Sequence, residues 1–519
     1  MVAHKTFEVI IMNKQDFAAL ARQEYADPKN AVRRGGVNGH PYWNGFATQF
    51  MFCPSFEFAA VEGCTDYLFV AEDVKGNKFE FHAEETGALL TPVWDDLAPG
   101  KVKLTVYVAA TNEVVGEKEF TKSEPFADNY EVLTAEDFRN AARKAYDYVF
   151  KLPYVQSYAI DGTPGDYVLN FYITKMIGAI IPAMINYTKL SPENAETAMK
   201  IATNAADFLI SLTNPDDSPL AGIPPTYYNP AGKIDFGEGY DEAVKRQNEN
   251  MIIYPAHAGA AYVELYKVTN DKKYLDAAVK VAMYYKKNVL ENGSWYNLVS
   301  NETGKPVAPN FSVPNKIAPF LYSIYELTGE EAYKTLSENA FAFIIENCLK
   351  NFNWEGQFED SRMSVNYSNL THFISDALIA DITKSHSGDK ESVETAKELM
   401  RYVEDQFVVW KFPESDEDKK EWYAPCGLEQ YACYVPIDSS TAAISGAFTN
   451  LYKLTKEPLY LKKAHVLATS IVKNQDKETG YIPTFWHGFP VYWVNCQIGS
   501  ANRLFAFADY LDKIAAEQK

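Results

Sequence analysis

The chain predicts two structural units of unequal kind. An all-β sandwich of immunoglobulin-like type is expected over residues 1–125, and an all-α ring of paired helices, an (α/α)6 toroid, over 134–519, with a linker at 126–133. Three observations point there: a phrase that recurs along the second part, a change of hydrophobic period from two to about 3.6, and long polar-aromatic loops that always precede the same helix of each pair. The phrase is an apolar stretch ending in a tyrosine or isoleucine, a short polar turn and a new amphipathic helix. It reads LYKVTNDKKYLDAAVKVA from Leu265, IYELTGEEAYKTLSENAFAF from Ile324 and LYKLTKEPLYLKKAHVLATSIV from Leu451, with looser copies from Asn186 and Ala380. Anchored on Tyr187, Tyr266, Tyr325, Ile382 and Tyr452, successive copies lie 79, 59, 57 and 70 residues apart. That spacing is too long for a short solenoid repeat and fits two long helices plus a long loop.

In the N-terminal part, KVKLTVYV sets Val102, Leu104, Val106 and Val108 against Lys103, Thr105 and Tyr107, the alternation of a half-buried strand. QFMFCPSFEF, DYLFVAED and KFEFHAEE read the same way, with a turn at Lys75-Gly76-Asn77 between the last two. Short strands at such spacing suggest a sandwich. KSEPFADNYEVL is the linker, and T-A-E-D at Thr134 offers a capping threonine with an acid three residues on. Beyond it, Leu275, Ala278, Val279 and Ala282, and later Leu461, Ala464, Ala468, Ile471 and Val472, lay single apolar stripes on helices. Ser191-Pro192 reads as a helix start. With the opening helix and the closing SANRLFAFADYLDKIAAE, about twelve helices fit, the number an (α/α)6 ring needs.

Composition excludes several classes. The 49 basic against 69 acidic residues give −20, a charge that repels nucleic acid and anionic membranes. No apolar run approaches the ~18 residues needed for a membrane span. MVAHKTFEVIIMN lacks a basic stretch followed by a clean apolar core and is not read as a signal peptide, which leaves the compartment open between cytoplasmic and, with a leader removed, periplasmic or secreted. Six cysteines form no CxxC pair; Cys53 and Cys64 read either as a bridge between strands or as free thiols. No HxH or HExxH spacing exists, so His257, His372 and His487 are not expected to converge on a metal, and no cofactor is implied. Aromatic residues make up 14% of the chain, which suits platforms for the apolar faces of sugars as well as core.

The LYxLTGxxxYLxxA hairpins resemble the six-hairpin glycosidase superfamily and, more loosely, sugar epimerases of the N-acylglucosamine type. WEGQFED, LEQYACYVPIDSS and YIPTFWH…WVNCQIGSA resemble segments of bacterial (α/α)6 proteins of polysaccharide-utilisation systems, among which glycoside hydrolase family 154, acting on β-glucuronides, is the nearest group. The resemblance implies an oligosaccharide or polysaccharide as substrate, with a uronic acid such as β-glucuronate as an expected product. Oligomeric state is left open.

The loops expected at one mouth of the ring begin at Asp161, Gly237, Asn310, Asn353, Tyr423 and Thr484. Glycoside hydrolysis needs two carboxyl groups, one protonated and one ionised. Glu355, Glu359 and Asp360 in the WEGQFED loop are candidates for the general acid, and Glu429 and Asp438 in the next loop for its partner. Asp438, followed by Ser439, Ser440 and Thr441, reads equally as a plain helix cap. Arg246 is the candidate to hold a substrate carboxylate, or else an ion-pair partner of nearby acids. Trp354, Trp486 and Trp493 are stacking candidates, and Tyr431, Tyr434, His372, His487 and Asn495 complete the expected sugar site, while His257 reads as a packed histidine. A rival reading uses the same ring as a uronate lyase or epimerase, with Tyr434 or Tyr367, His372, Arg246 and Asn495 as its parts. A third makes it a non-catalytic glycan-binding protein.

Overall fold

The computed structural model describes residues 16–31, 47–165, 172–228, 248–350, 371–429, 435–488 and 490–517. The ring is built from twelve helices among these residues: α2 (Ala135–Lys151), α3 (Ile173–Leu190), α4 (Ala195–Ser211), α5 (Tyr254–Thr269), α6 (Lys272–Asn288), α7 (Ile317–Thr328), α8 (Glu331–Phe343), α9 (Thr371–Ser385), α10 (Lys390–Phe407), α11 (Asp438–Thr455), α12 (Pro458–Asn474) and α13 (Val494–Glu517). Each of α3, α5, α7, α9 and α11 packs on the helix that follows it, and α13 closes the last pair with α2, the first ring helix. The inner helices touch in turn: α13 with α3, α3 with α5, α5 with α7 and α9 with α11, then α11 with α13. Between α7 and α9 the circle is joined by Lys384, which donates to Glu326 at 2.6 Å and lies 3.9 Å over the Tyr322 ring. This is the (α/α)6 ring.

The recurring phrase has a hydrogen-bond reason. The carbonyl of each anchor residue accepts from the amide four positions on: Tyr187 from Ser191 at 2.9 Å, Tyr266 from Asn270 at 2.7 Å, Tyr325 from Gly329, Ile382 from His386 and Tyr452 from Lys456, each at 2.8 Å. Asn270, Gly329 and Lys456 adopt the left-handed conformation that ends a helix. The threonine of the LT pair ties the turn twice: Thr269, Thr328 and Thr455 donate to the carbonyls of Leu265, Ile324 and Leu451, and accept from the amides of Asp271, Glu330 and Glu457. The repeat is the stop signal of an inner helix, and it keeps the connections at that end of the ring short.

The capping box at Thr134 forms as expected, with Asp137 N–H donating to the Thr134 hydroxyl at 3.2 Å and Thr134 N–H donating to the Asp137 carboxylate at 2.9 Å. At Ser191-Pro192 the proline opens one 3-10 turn before α4, and the serine hydroxyl donates to Glu193 instead of capping.

The N-terminal strands are β1 (Gln49–Phe50), β2 (Tyr67–Glu72), β3 (Lys78–Ala83), β4 (Gly100–Val108) and β5 (Glu113–Lys122). They form one sheet in the order β1-β5-β4-β2-β3, with β1 parallel to β5 and the other pairs antiparallel. The described residues thus supply a single five-stranded sheet; a second sheet facing it, as a sandwich requires, is not among them. Val102, Leu104, Val106 and Val108 are buried as their alternation demands. The sheet has the helical ring beside it, and one buried apolar cluster runs from Phe50, Val106 and Phe120 through Phe126 into Phe138 and Phe448.

The reading of the N-terminal part as strand throughout is corrected at several places: of QFMFCPSFEF only Gln49–Phe50 is strand, Thr91–Trp94 is a helical turn, and the largest departure lies near the start of the chain. Phe17–Ala26 is a helix, α1, capped by Asp16, which accepts from Ala19 N–H at 2.9 Å. Phe17, Ala21 and Tyr25 recur every fourth residue and are buried, a helical stripe. The helix lies on α12 through a buried charge cluster. Lys463 donates to Glu404 at 2.8 Å and to Glu24 at 3.2 Å, while Tyr25 and Trp410 both donate to Glu404, at 2.6 and 2.9 Å. Next to it Asp405 accepts from the amides of Met51 and Phe52, at 2.5 and 2.7 Å. Cys53 and Cys64 are free thiols.

Candidate active site

The inner helices all present their N-terminal ends to one cavity of about 390 Å³. Its wall takes Lys175 and Gly178 from α3, His257 from α5 and Lys316 just ahead of α7. Phe373 of α9, Ser439 of α11 and Arg503 of α13 complete the circle, and Glu429, Trp493 and Asn495 come from the long loops and the start of α13. A second cavity of about 380 Å³ shares Gly178, Pro182, His257 and Lys316 with the first and continues along α5 and α7 as far as Glu264 and Ser323. Glycine and alanine allow this crowding. A Cβ on Gly178 would meet the backbone of His257 at 3.0 Å.

The two described carboxyl candidates are brought to this mouth by short backbone ladders. Gly427 accepts from Ile437 N–H at 3.1 Å, and Glu429 N–H donates to Val435 at 3.1 Å, so the loop folds back on itself. Asp438 N–H donates to Thr484 at 3.0 Å and Trp486 N–H to Pro436 at 3.0 Å, which ties on the next long loop. Glu429 lines the cavity and is 8% exposed. Asp438 is fully buried, between the lining residues Ile437 and Ser439.

The plain-cap reading of Asp438 does not describe its contacts. The N-cap position of α11 is Ile437, with no side-chain cap, and the Asp438 carboxyl accepts from Ser500 of α13 at 2.9 Å. Its other oxygen has no partner among the described residues. Burial pushes this carboxyl up to about 8, against the weaker pull of the Ser500 hydroxyl and the first amides of α11. Both carboxylates act on one thiol: burial raises Cys496 most, and the charges of Asp438 and Glu429 raise it further. Glu429 and Cys496 line the cavity, and Asp438 lies behind that lining.

The remaining candidates divide. Trp493 lines the cavity, its amide held by Thr484 at 2.8 Å and its ring 5.3 Å from Phe485. Asn495 lines it too, beside the Cys496 sulfur at 3.7 Å. Trp486 and His487 lie outside the lining, packed edge-on against Tyr423 at 5.5 Å and over Trp422 at 5.0 Å. His372 is also outside it, wholly buried against Phe373 and Phe407, with neither ring nitrogen partnered among the described residues; burial and Arg503 hold it neutral, near 3. Arg246, Trp354, Glu355, Glu359, Asp360, Tyr367, Tyr431 and Tyr434 lie outside the described residues.

Three cations and a histidine that sequence reasoning had passed over or set aside as packing also meet here. His257 stands in the wall of both cavities, and burial, Lys316 and Lys175 push it down to about 3, so it is a neutral base. Lys175 lies 5.5 Å from the rings of Tyr172 and Tyr254. Arg503 donates to Asp376 at 2.8 Å. Lys316 sits in NKIAP, inside a loop expected at the mouth, but a lone lysine carries no sequence signal. Among the described residues no group of three or more His, Cys, Asp or Glu side chains is placed to hold a metal, and no helix is long and apolar enough to cross a membrane.

No protein-family model matches the chain, and no curated protein does. Solved structures similar to it include carbohydrate-active enzymes. A family 76 glycoside hydrolase from a bovine Bacteroides thetaiotaomicron strain is 11% identical over 88% of this chain and 94% of that one, with a TM-score of 0.49. Cellobiose 2-epimerase from Spirochaeta thermophila is 12% identical over 65% and 86%, TM-score 0.48. Unsaturated glucuronyl hydrolase from Streptococcus agalactiae is 14% identical over 73% and 94%, TM-score 0.48. The ring is read from the helix pairs of this chain, and its chemistry from its own side chains.

Proposed function

We propose that the protein is a glycoside hydrolase whose site is the mouth of the ring, acting on an oligosaccharide or polysaccharide, with 134–519 as the catalytic unit and 1–125 as a unit that braces it. The observation that carries the reading is the pair Asp438 and Glu429. Asp438 is buried and held neutral, while Glu429 lines the cavity, and acid-assisted glycosidic cleavage needs one protonated and one ionised carboxyl. Asp438 supplies the proton to the leaving oxygen, and Glu429 serves the other face of the sugar ring. Trp493 offers an apolar face for the sugar to stack on. Three cations in the wall, and six inner helices whose N-terminal ends meet there, favour an acidic sugar such as a uronate despite the −20 charge of the whole chain.

The test is Asp438→Asn and Glu429→Gln, assayed on a panel of neutral and acidic oligosaccharides. Each substitution keeps shape and should lower turnover about 10²–10⁴-fold, the usual worth of an acid or base, while sugar binding persists. Losses below about tenfold in both reject the assignment, and Glu359→Gln then asks whether the WEGQFED loop holds the acid instead.

His257 favours a second reading. An uncharged imidazole in the cavity wall beside two lysines places a proton acceptor where a bound carboxylate would be neutralised, the arrangement an epimerase or lyase needs, with substrate binding required to raise its basicity. An unsaturated or epimerised product, lost in His257→Ala and kept in Asp438→Asn, would establish it.

A further inference from the structure

We infer that Lys316 is the residue that selects an acidic substrate, its ammonium receiving the carboxylate of a uronic acid seated in the mouth. The inference rests on reading the mouth as a saccharide site and adds to it the residue that reads the charge.

Of the three cations in the wall, two are committed. Arg503 is paired with Asp376 at 2.8 Å and lies 5.7 Å over the Phe373 ring. Asp376 is in turn held by Asn450 at 2.9 Å, so each of its oxygens already has a donor. Lys175 is set between the rings of Tyr172 and Tyr254. The ammonium of Lys316 makes no hydrogen bond or ion pair with any described residue, and Lys316 lines both cavities.

A charge taken partly out of water without a counter-ion is costly, and an arriving carboxylate recovers that cost. The charged and titratable groups around Lys316 agree. Arg503 of α13, with Lys175 of α3 and neutral His257 of α5 in the same wall, supplies no negative charge; Asp376 of α9 helps only in part, and Glu429 lines the cavity from the loop ahead of α11. Burial first, then Arg503, brings Lys316 down to about 8, with Asp376 opposing. It is charged at neutral pH and gives up its charge just above, and a bound carboxylate would hold the proton on.

The sign follows. Affinity for an acidic sugar is full below about pH 8 and falls as pH rises through it, while affinity for a neutral sugar of the same shape does not follow that curve. Arginine stays protonated, so Lys316→Arg removes the fall.

The probes are D-glucuronate, its uncharged methyl ester and D-glucose, measured by calorimetry on the wild type, Lys316→Met and Lys316→Arg, with thermal unfolding to confirm that each variant is folded. Lys316→Met is expected to weaken glucuronate about 30-fold or more, the usual consequence of leaving a buried charge unpaired, and to leave the ester and glucose within about threefold. Lys316→Arg should keep glucuronate within about tenfold and lose the pH dependence. If folded Lys316→Met keeps the preference for glucuronate over its ester, the inference is overturned. If it weakens all three equally, Lys316 shapes the wall and the inference also falls. Binding reads the inference without catalysis, so loss of the hydrolase reading, seen as full turnover in Asp438→Asn, is a separate outcome.

Discussion

Asp438 shows how little of a catalytic role resides in residue type alone. In sequence it stands where a helix-capping aspartate would stand, and only its partner on α13 and the absence of a cap bond at α11 separate the two roles. Its raised pKa makes a kinetic prediction. With Asp438 protonated at neutral pH, kcat at saturating substrate should be flat up to pH about 7 and fall as pH rises through about 8. A kcat that increases through that range would show that the ionised form does the work. At the same scale, Trp493 and Asn495 were legible because polar-aromatic loops ahead of inner helices are where a ring displays its chemistry. Lys316, Lys175 and Arg503 were not, because a single basic residue acquires meaning only from neighbours that come from other helices.

The turns and helix contacts were more legible than the site, for a reason visible in the bonds. Each anchor carbonyl and each LT threonine satisfies groups at an inner-helix end, so the same few residues had to recur. Replacing Thr455 by Val removes both of its bonds and should cost about 1 kcal/mol in chemical unfolding, with activity kept. What the sequence period did not disclose is how closely helices approach. A Cβ on Gly259 of α5 would lie 2.4 Å from the Phe320 ring of α7, so Gly259→Ala should force the pair apart and destabilise by about 1–3 kcal/mol. A neutral effect would mean that Phe320 moves aside freely. Helix α1 was missed because ten residues give barely three turns, and its stabilisation comes from contact with α12, which lies more than 400 residues away in sequence. There, Lys463→Met leaves Glu404 buried without its cation and should lower stability by about 3–5 kcal/mol, read from denaturant midpoints.

Over the whole molecule, a ring of hairpins gathers six helix N-termini at one end and keeps the other end to short turns, so that, among the described residues, Lys316, Glu429, Trp493 and Asn495 from separate stretches of chain reach one cavity. That is why the architecture was readable from a repeat, whereas the burial that sets Asp438 apart from Glu429, an acid of the same loop, was not. The buried acids also set a stability profile. Asp405, held near 7, and Asp438, near 8, keep protons in the folded state that the unfolded chain has released above about pH 4. Their contribution is full at low pH and lost as pH rises through those values. The buried histidines His257, His372 and His465 act oppositely but only below about pH 6.5, where the unfolded chain takes up protons they refuse. Between pH about 6.5 and 8 the melting temperature should therefore decline, and Asp438→Asn should flatten that decline. Cleavage of a glycosidic bond in this mouth, with Asp438 as the acid, can be checked by digesting an acidic oligosaccharide in heavy-oxygen water and weighing the products. Hydrolysis by Asp438 should leave one heavy oxygen on the new reducing sugar and no product with an ultraviolet-absorbing double bond, and Asp438→Asn should lose both fragments. Fragments that carry a double bond and no heavy oxygen, or full cleavage by Asp438→Asn, would contradict it.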